Sequence, residues 1–79
     1  MKLEDRIIAI IKEDSEESEE ISETADLESD LGIDSFGILM IINGIEDAYN
    51  ITIEEDTFEG IRTVRDIARA LRAKYEITE

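Results

Sequence analysis

The 79-residue chain contains no cysteine, no histidine and no proline. Without cysteine no disulfide can support the fold, and a chain this short buries a smaller share of its surface than a large one. Without histidine or cysteine, no Ser-His or Cys-His nucleophile can be assembled. Carboxylates are abundant, but nothing singles out a catalytic pair, so the chain is not expected to be an enzyme. No apolar run exceeds five residues, as in Ile38 to Ile42, whereas a membrane-spanning helix needs about 20. Glu4, Asp5 and Arg6 interrupt the apolar stretch in which a signal-peptide core would lie. The expectation is one domain over residues 1–79, monomeric, cytoplasmic and without membrane insertion.

Basic residues are scarce and unevenly placed. Eight Lys and Arg face 22 Asp and Glu, a formal net charge of −14. All eight bases lie outside residues 13–61, a stretch that holds 17 acids. Such a field argues against binding nucleic acid, whose phosphates are held mainly by Lys and Arg, and against anionic membrane surfaces. It raises solubility and steers basic partners inward, at the cost of self-repulsion. Added NaCl should therefore raise the melting temperature by screening that repulsion. A melting temperature that stays flat across a salt series would show the acids to be too dispersed to matter.

What remains is organised by helical spacing. Leu3, Ile7, Ile8 and Ile11 predict an amphipathic helix over 3–12. Residues 13–30 lack periodicity and read as a long loop anchored by Ile21, Leu27 and Leu31. Ile38, Ile41, Ile42, Ile45 and Tyr49 predict a second helix over 35–49. Phe36, Leu39 and Met40 add a second apolar face, which suggests that this helix is central. Gly37 and Gly44 weaken it and point to a close approach. "ITI" at 51–53 reads as an extended linker, and 54–61 as one or two short helical turns with Phe58 and Ile61 inward and Gly60 as a stop. Thr63 with Asp66 matches a capping box, followed by the stripe Val64, Ile67, Ala68, Leu71 and Tyr75. The predicted fold is all-α: a small four-helix bundle of three longer helices and one short one, with a long loop after the first.

"DLGIDSFG", residues 30–37, sits where the loop meets the second helix. Asp34 suits the N-cap. Ser35 would then be the first helical residue, with its hydroxyl at the positive end of the helix dipole and beside unpaired N–H groups. A phosphate ester there would be favoured as anions are at helix N-termini. A calcium-loop reading from Asp26 fails, because the glycine falls at the seventh place and Gly37 occupies the twelfth, where a bidentate Glu is needed. No metal site is expected.

"DLESDLGIDSFGILMIINGIEDAYNITI", together with "GIRTVRDIA", resembles the acyl carrier proteins over roughly residues 22–72. The resemblance implies a carrier, not an enzyme. Ser35 would bear 4′-phosphopantetheine, transferred from coenzyme A by a separate phosphopantetheinyl transferase that recognises Asp34. Leu39, Ile41, Ile45, Ile53, Phe58 and Ile61 match positions that line the core or an acyl pocket. Glu46 and Asp47 match acids that meet basic docking patches on acyl or aminoacyl ligases and synthases. Phe36 and Met40 are expected at the partner surface too. The implied role is thioester carriage in fatty-acid or related acyl-chain biosynthesis. Gly37 and Met40 stand where fatty-acid carriers usually have acids, and "DSFG" is similar to the "DSMG" of D-alanyl carriers, so an aminoacyl cargo is the alternative. An acidic adaptor binding helices through Phe36 and Met40, with no prosthetic group, is a further reading.

Overall fold

The structure is a computed structural model describing residues 2–13, 21–54 and 56–77. Its helices are α1 (Leu3–Glu13), α2 (Ser35–Tyr49) and α3 (Val64–Tyr75). Residues 14–20 of the expected loop lie outside the described residues. No helix among the described residues is long and apolar enough to cross a membrane.

The core is one cluster of side chains from all three helices and from the segments between them. Leu3, Ile7, Ile10 and Ile11 come from α1, Ile41 and Ile45 from α2, and Val64, Ile67, Ala68 and Leu71 from α3. Ile21, Leu27, Ile53 and Phe58 complete it from the connections. The helix packed against both others is α1, so it holds the central place expected of α2. Its apolar face is correspondingly wider than the expected stripe, with Ile10 buried beside Leu3, Ile7 and Ile11. One close approach depends on glycine. A Cβ on Gly44 would lie 2.5 Å from Ile10 Cγ2, so the missing side chain is what lets α1 and α2 meet there.

The short fourth helix expected over 54–61 is not found among the described residues. Thr57, Glu59 and Ile61 instead donate to the carbonyls three residues back, at 3.1, 3.2 and 3.3 Å. These are successive turns, and Gly60, at φ 81°, ends them. The segment is held from outside. The Tyr75 hydroxyl accepts the Glu54 N–H at 3.0 Å and meets Thr57 Oγ1 at 3.2 Å. The 51–53 linker is extended, as expected, with Ile53 buried. The capping box forms in full: Thr63 Oγ1 accepts the Asp66 N–H at 3.1 Å, and Asp66 Oδ2 accepts the Thr63 N–H at 3.2 Å.

One ionic contact joins the first helix to the last. Both oxygens of Glu4 accept from Arg72, at 2.7 Å each, and Glu4 is buried. The Arg72 hydrogen bonds push the Glu4 carboxyl down to about 2, against an ordinary 4.5. A depressed carboxyl contributes stability above its unfolded pKa and loses it as pH falls toward the folded one. Glu4→Gln should cost about 1.5–3 kcal/mol near neutrality, the usual range for charged hydrogen bonds. Wild type and variant should converge between pH 4.5 and about 2. Parallel melting curves across that window would remove Glu4 from the acid transition.

Candidate functional site

The site is built by the loop that enters α2. Asp26 organises that loop. Its Oδ1 accepts the N–H groups of Glu28 at 3.0 Å and Ser29 at 2.9 Å. Its carbonyl accepts from Asp30 at 3.0 Å and Leu31 at 3.2 Å, and the Asp30 carboxylate returns to the Asp26 N–H at 2.8 Å. The Ser29 N–H bond leads the causes that hold the Asp26 carboxyl below its usual range. Of the acids weighed and rejected as a calcium loop, Asp26 and Asp30 are thus engaged with backbone N–H groups, and Asp26 with Arg62 as well.

The loop is tied to the approach to α3. Asp26 and Thr63 form an isolated bridge. Leu27 donates to the Arg62 carbonyl at 2.8 Å, and Arg65 to the Glu23 carbonyl at 2.9 Å. Arg62 Nε and Nη2 each lie 2.9 Å from Asp26 Oδ2. The chain then turns at Gly32, whose φ of 68° is the left-handed conformation glycine takes without strain, and Ile33 donates back to the Leu27 carbonyl at 2.8 Å.

Asp34 is the N-cap, extended, with Oδ1 accepting the Gly37 N–H at 2.9 Å. Gly37 matters for space as well. A Cβ there would lie 2.6 Å from Ile33 Cγ2, so its absence lets Ile33 sit over the first turn of α2. Ser35 opens α2 and is exposed. It stands beside helix-start N–H groups that have no carbonyl behind them.

Ser35 and Asp34 line a cleft of about 710 Å³ between the loop, α2 and the approach to α3. Its apolar lining is Leu27, Ile33, Ile38 and Ile61; its polar lining includes Asp26, Glu28, Ser29 and Arg62. The volume falls in the range of small-molecule sites. An exposed hydroxyl at a positive helix end can carry a phosphate ester there, since anions are favoured at helix N-termini.

The other expected residues are distributed as follows. Ile41, Ile45, Ile53 and Phe58 are buried in the core, and Ile61 lines the cleft. Leu39 was grouped with them, but it is 53% exposed. It lies on the flank of α2 away from α1, beside Phe36, which is 69% exposed. Met40 is half-buried and Asp47 exposed. Glu46 is engaged inside the fold, since its Oε2 accepts the Ile53 N–H at 2.8 Å. Sequence reasoning did not single out Asp26 or Arg62 for the site. A signal was present: Arg62 is the first base after 49 residues without one.

Comparison with known proteins bears on the family and the fold. A family model described as "Phosphopantetheine attachment site" matches residues 5–71. An acyl carrier protein of Prochlorococcus marinus (strain MIT 9515) is 33% identical over 70 residues, covering 87% of this chain and 88% of that protein. One from Exiguobacterium sibiricum is 36% identical over 59 residues, 75% of each chain. Among solved structures, a Mycobacterium tuberculosis protein described as an acyl carrier protein superposes with a TM-score of 0.80 at 28% identity, covering 91% of this chain and 97% of that one.

Proposed function

Because the chain belongs to the acyl carrier protein family, whose members are carriers and not enzymes, we propose that Ser35 is the hydroxyl that bears its 4′-phosphopantetheine. The observation that carries this reading is the placement of Ser35: exposed, first in α2, directly behind the capping Asp34 and at the edge of the cleft. The arm supplies the thiol on which cargo rides as a thioester, a group that a cysteine-free chain lacks. The adaptor reading without a prosthetic group loses its support from the family match.

The chain's own residues supply the address and the geometry. Asp34 fixes the first turn of α2 and so presents the Ser35 hydroxyl at a constant height to the phosphopantetheinyl transferase. Exposed Phe36 and Leu39, half-buried Met40 and exposed Asp47 form the surface offered to ligases and synthases. Asp47 is the stronger candidate for a basic patch, because one oxygen of Glu46 is committed to the 51–53 linker. The acidic surface favours fast, salt-sensitive encounter, and contacts stay small because the carrier visits several enzymes in turn. We read the chain as one monomeric carrier domain over 1–79, acting in the cytoplasm on acyl groups of fatty-acid or related biosynthesis.

The test is an intact mass after incubation with coenzyme A and a broad-range transferase, followed by mapping of the label. One phosphopantetheine on Ser35 is expected; none, or one on another serine, overturns the assignment. A second cargo is favoured by the absence of acid from the first turn of α2 beside an exposed Phe36, a departure shared with the D-alanyl type. Preferential charging of the loaded carrier by a D-alanine ligase over acyl ligases would establish that alternative.

A further inference from the structure

The cleft beside Ser35 is lined by an excess of acid, and one residue supplies the positive side-chain charge in it. Three carboxylates line it, those of Asp26, Glu28 and Asp34, against the single guanidinium of Arg62. Three negative charges against one positive leave a net of two. A phosphodiester on Ser35 would add a third. The dipole of α2 offsets part of this, about half a charge at its N-terminus.

Arg62 is the one base in that lining, and it is held where its guanidinium can face the phosphodiester. Its backbone is fixed on both sides: the carbonyl accepts from Leu27 at 2.8 Å, and the N–H donates to Asp66 Oδ2 at 3.0 Å. Its side chain reaches back to Asp26 through Nε and Nη2, both on the same oxygen. Three of the five guanidinium N–H donors lie beyond those two contacts, and the side chain is 75% exposed. The guanidinium fork suits phosphate oxygens as well as carboxylate.

We propose that Arg62, tethered by Asp26, is a positioning residue for the prosthetic arm, neutralising the phosphodiester on Ser35 and holding the start of the arm along the cleft. This rests on the reading of Ser35 as the attachment site. The tether is part of the design. It keeps a long flexible side chain at the edge of the cleft before the arm arrives, so less rotamer freedom is lost when the phosphodiester is bound.

The experiment compares apo and holo forms of the wild type, Arg62→Gln and Arg62→Lys. Intact mass is read first, to establish that each holo form carries one arm. A wild type that takes up no arm removes the Ser35 assignment and this inference with it. With loading confirmed, attachment should leave the wild-type melting temperature level or higher. In Arg62→Gln it should lower the temperature by about 3–5 °C relative to that change, as expected for a modest loss in a domain of this size. Arg62→Lys, which keeps the charge but not the two-donor contact to Asp26, should restore only part of the difference, and high salt should shrink it. The ³¹P resonance of the holo form should shift in Arg62→Gln at constant pH. A purely structural role would displace apo and holo melting equally. Equal apo-to-holo changes in wild type and Arg62→Gln, with an unmoved ³¹P resonance, would overturn the proposal while leaving Ser35 in place.

Discussion

Replacing Ser35 by alanine should abolish phosphopantetheine incorporation outright, while leaving the melting temperature close to that of the wild type. Both halves follow from where the residue stands. Its side chain is exposed and opens α2, so removing the hydroxyl leaves no cavity. The cap belongs to Asp34, whose carboxylate keeps its bond to the Gly37 N–H. Exposed substitutions of this kind usually fall within about 0.5 kcal/mol. The loss of loading should be complete, because no other serine among the described residues shares the setting. Ser22 is hydrogen-bonded to Thr24 in the early loop, and Ser29 sits in the Asp26 turn, its N–H donating to Asp26. Neither starts a helix. The measurement is intact mass of the variant after exhaustive incubation with coenzyme A and transferase, paired with a thermal melt. Residual incorporation on a folded variant would move the attachment elsewhere and dissolve the functional reading of the cleft.

The parts of this structure that rest on short-range chemistry were legible in the sequence. The Thr63–Asp66 capping box needs only a three-residue spacing. The bounds of α2 came from a capping aspartate and a 3.6-residue stripe, and the candidate site was proposed from "LGIDS" placed ahead of that stripe. The parts that rest on assembly were not legible. Asp26 and Arg62 are 36 positions apart, and Glu4 and Arg72 are 68; no local pattern pairs them. The 54–61 segment has helix-compatible residues, yet the Tyr75 hydroxyl takes the Glu54 N–H and the remaining bonds close over three residues instead of four. Leu39 is the plainest case. It shares helix, residue class and resemblance with Ile41 and Ile45, and only the choice of neighbour separates them. The helix facing both others is α1, so a flank of α2 that looked like a second core face meets solvent.

That separation supplies a large effect on stability. Ile45 has no exposed surface and lies among the largest buried side chains of the core. Ile45→Ala removes most of that side chain from a packed interior and should cost about 2–5 kcal/mol, transfer and cavity contributions together. In a domain of this size each kcal/mol lowers the melting temperature by roughly 4–8 °C. A drop of about 10 °C or more is therefore expected, and folding at ambient temperature is itself at risk where total stability is only about 5 kcal/mol. Leu39→Ala removes a similar number of methyl and methylene groups from a position 53% exposed. It should cost under about 1 kcal/mol, since half of the side chain is already in water and alanine is the better helix former. The two variants differ in function in the opposite sense. Per folded molecule, Ile45→Ala should load and dock normally, whereas Leu39→Ala should weaken docking to a cognate ligase or synthase beside Ser35. Chemical denaturation of both variants, with charging rates normalised to the folded fraction, decides the matter. Equal and large losses of stability would return Leu39 to the interior and restore the acyl-pocket role implied by the family resemblance. A stable Leu39→Ala with unchanged charging would leave the exposed flank of α2 without a partner and place docking on Asp47 and the acidic surface.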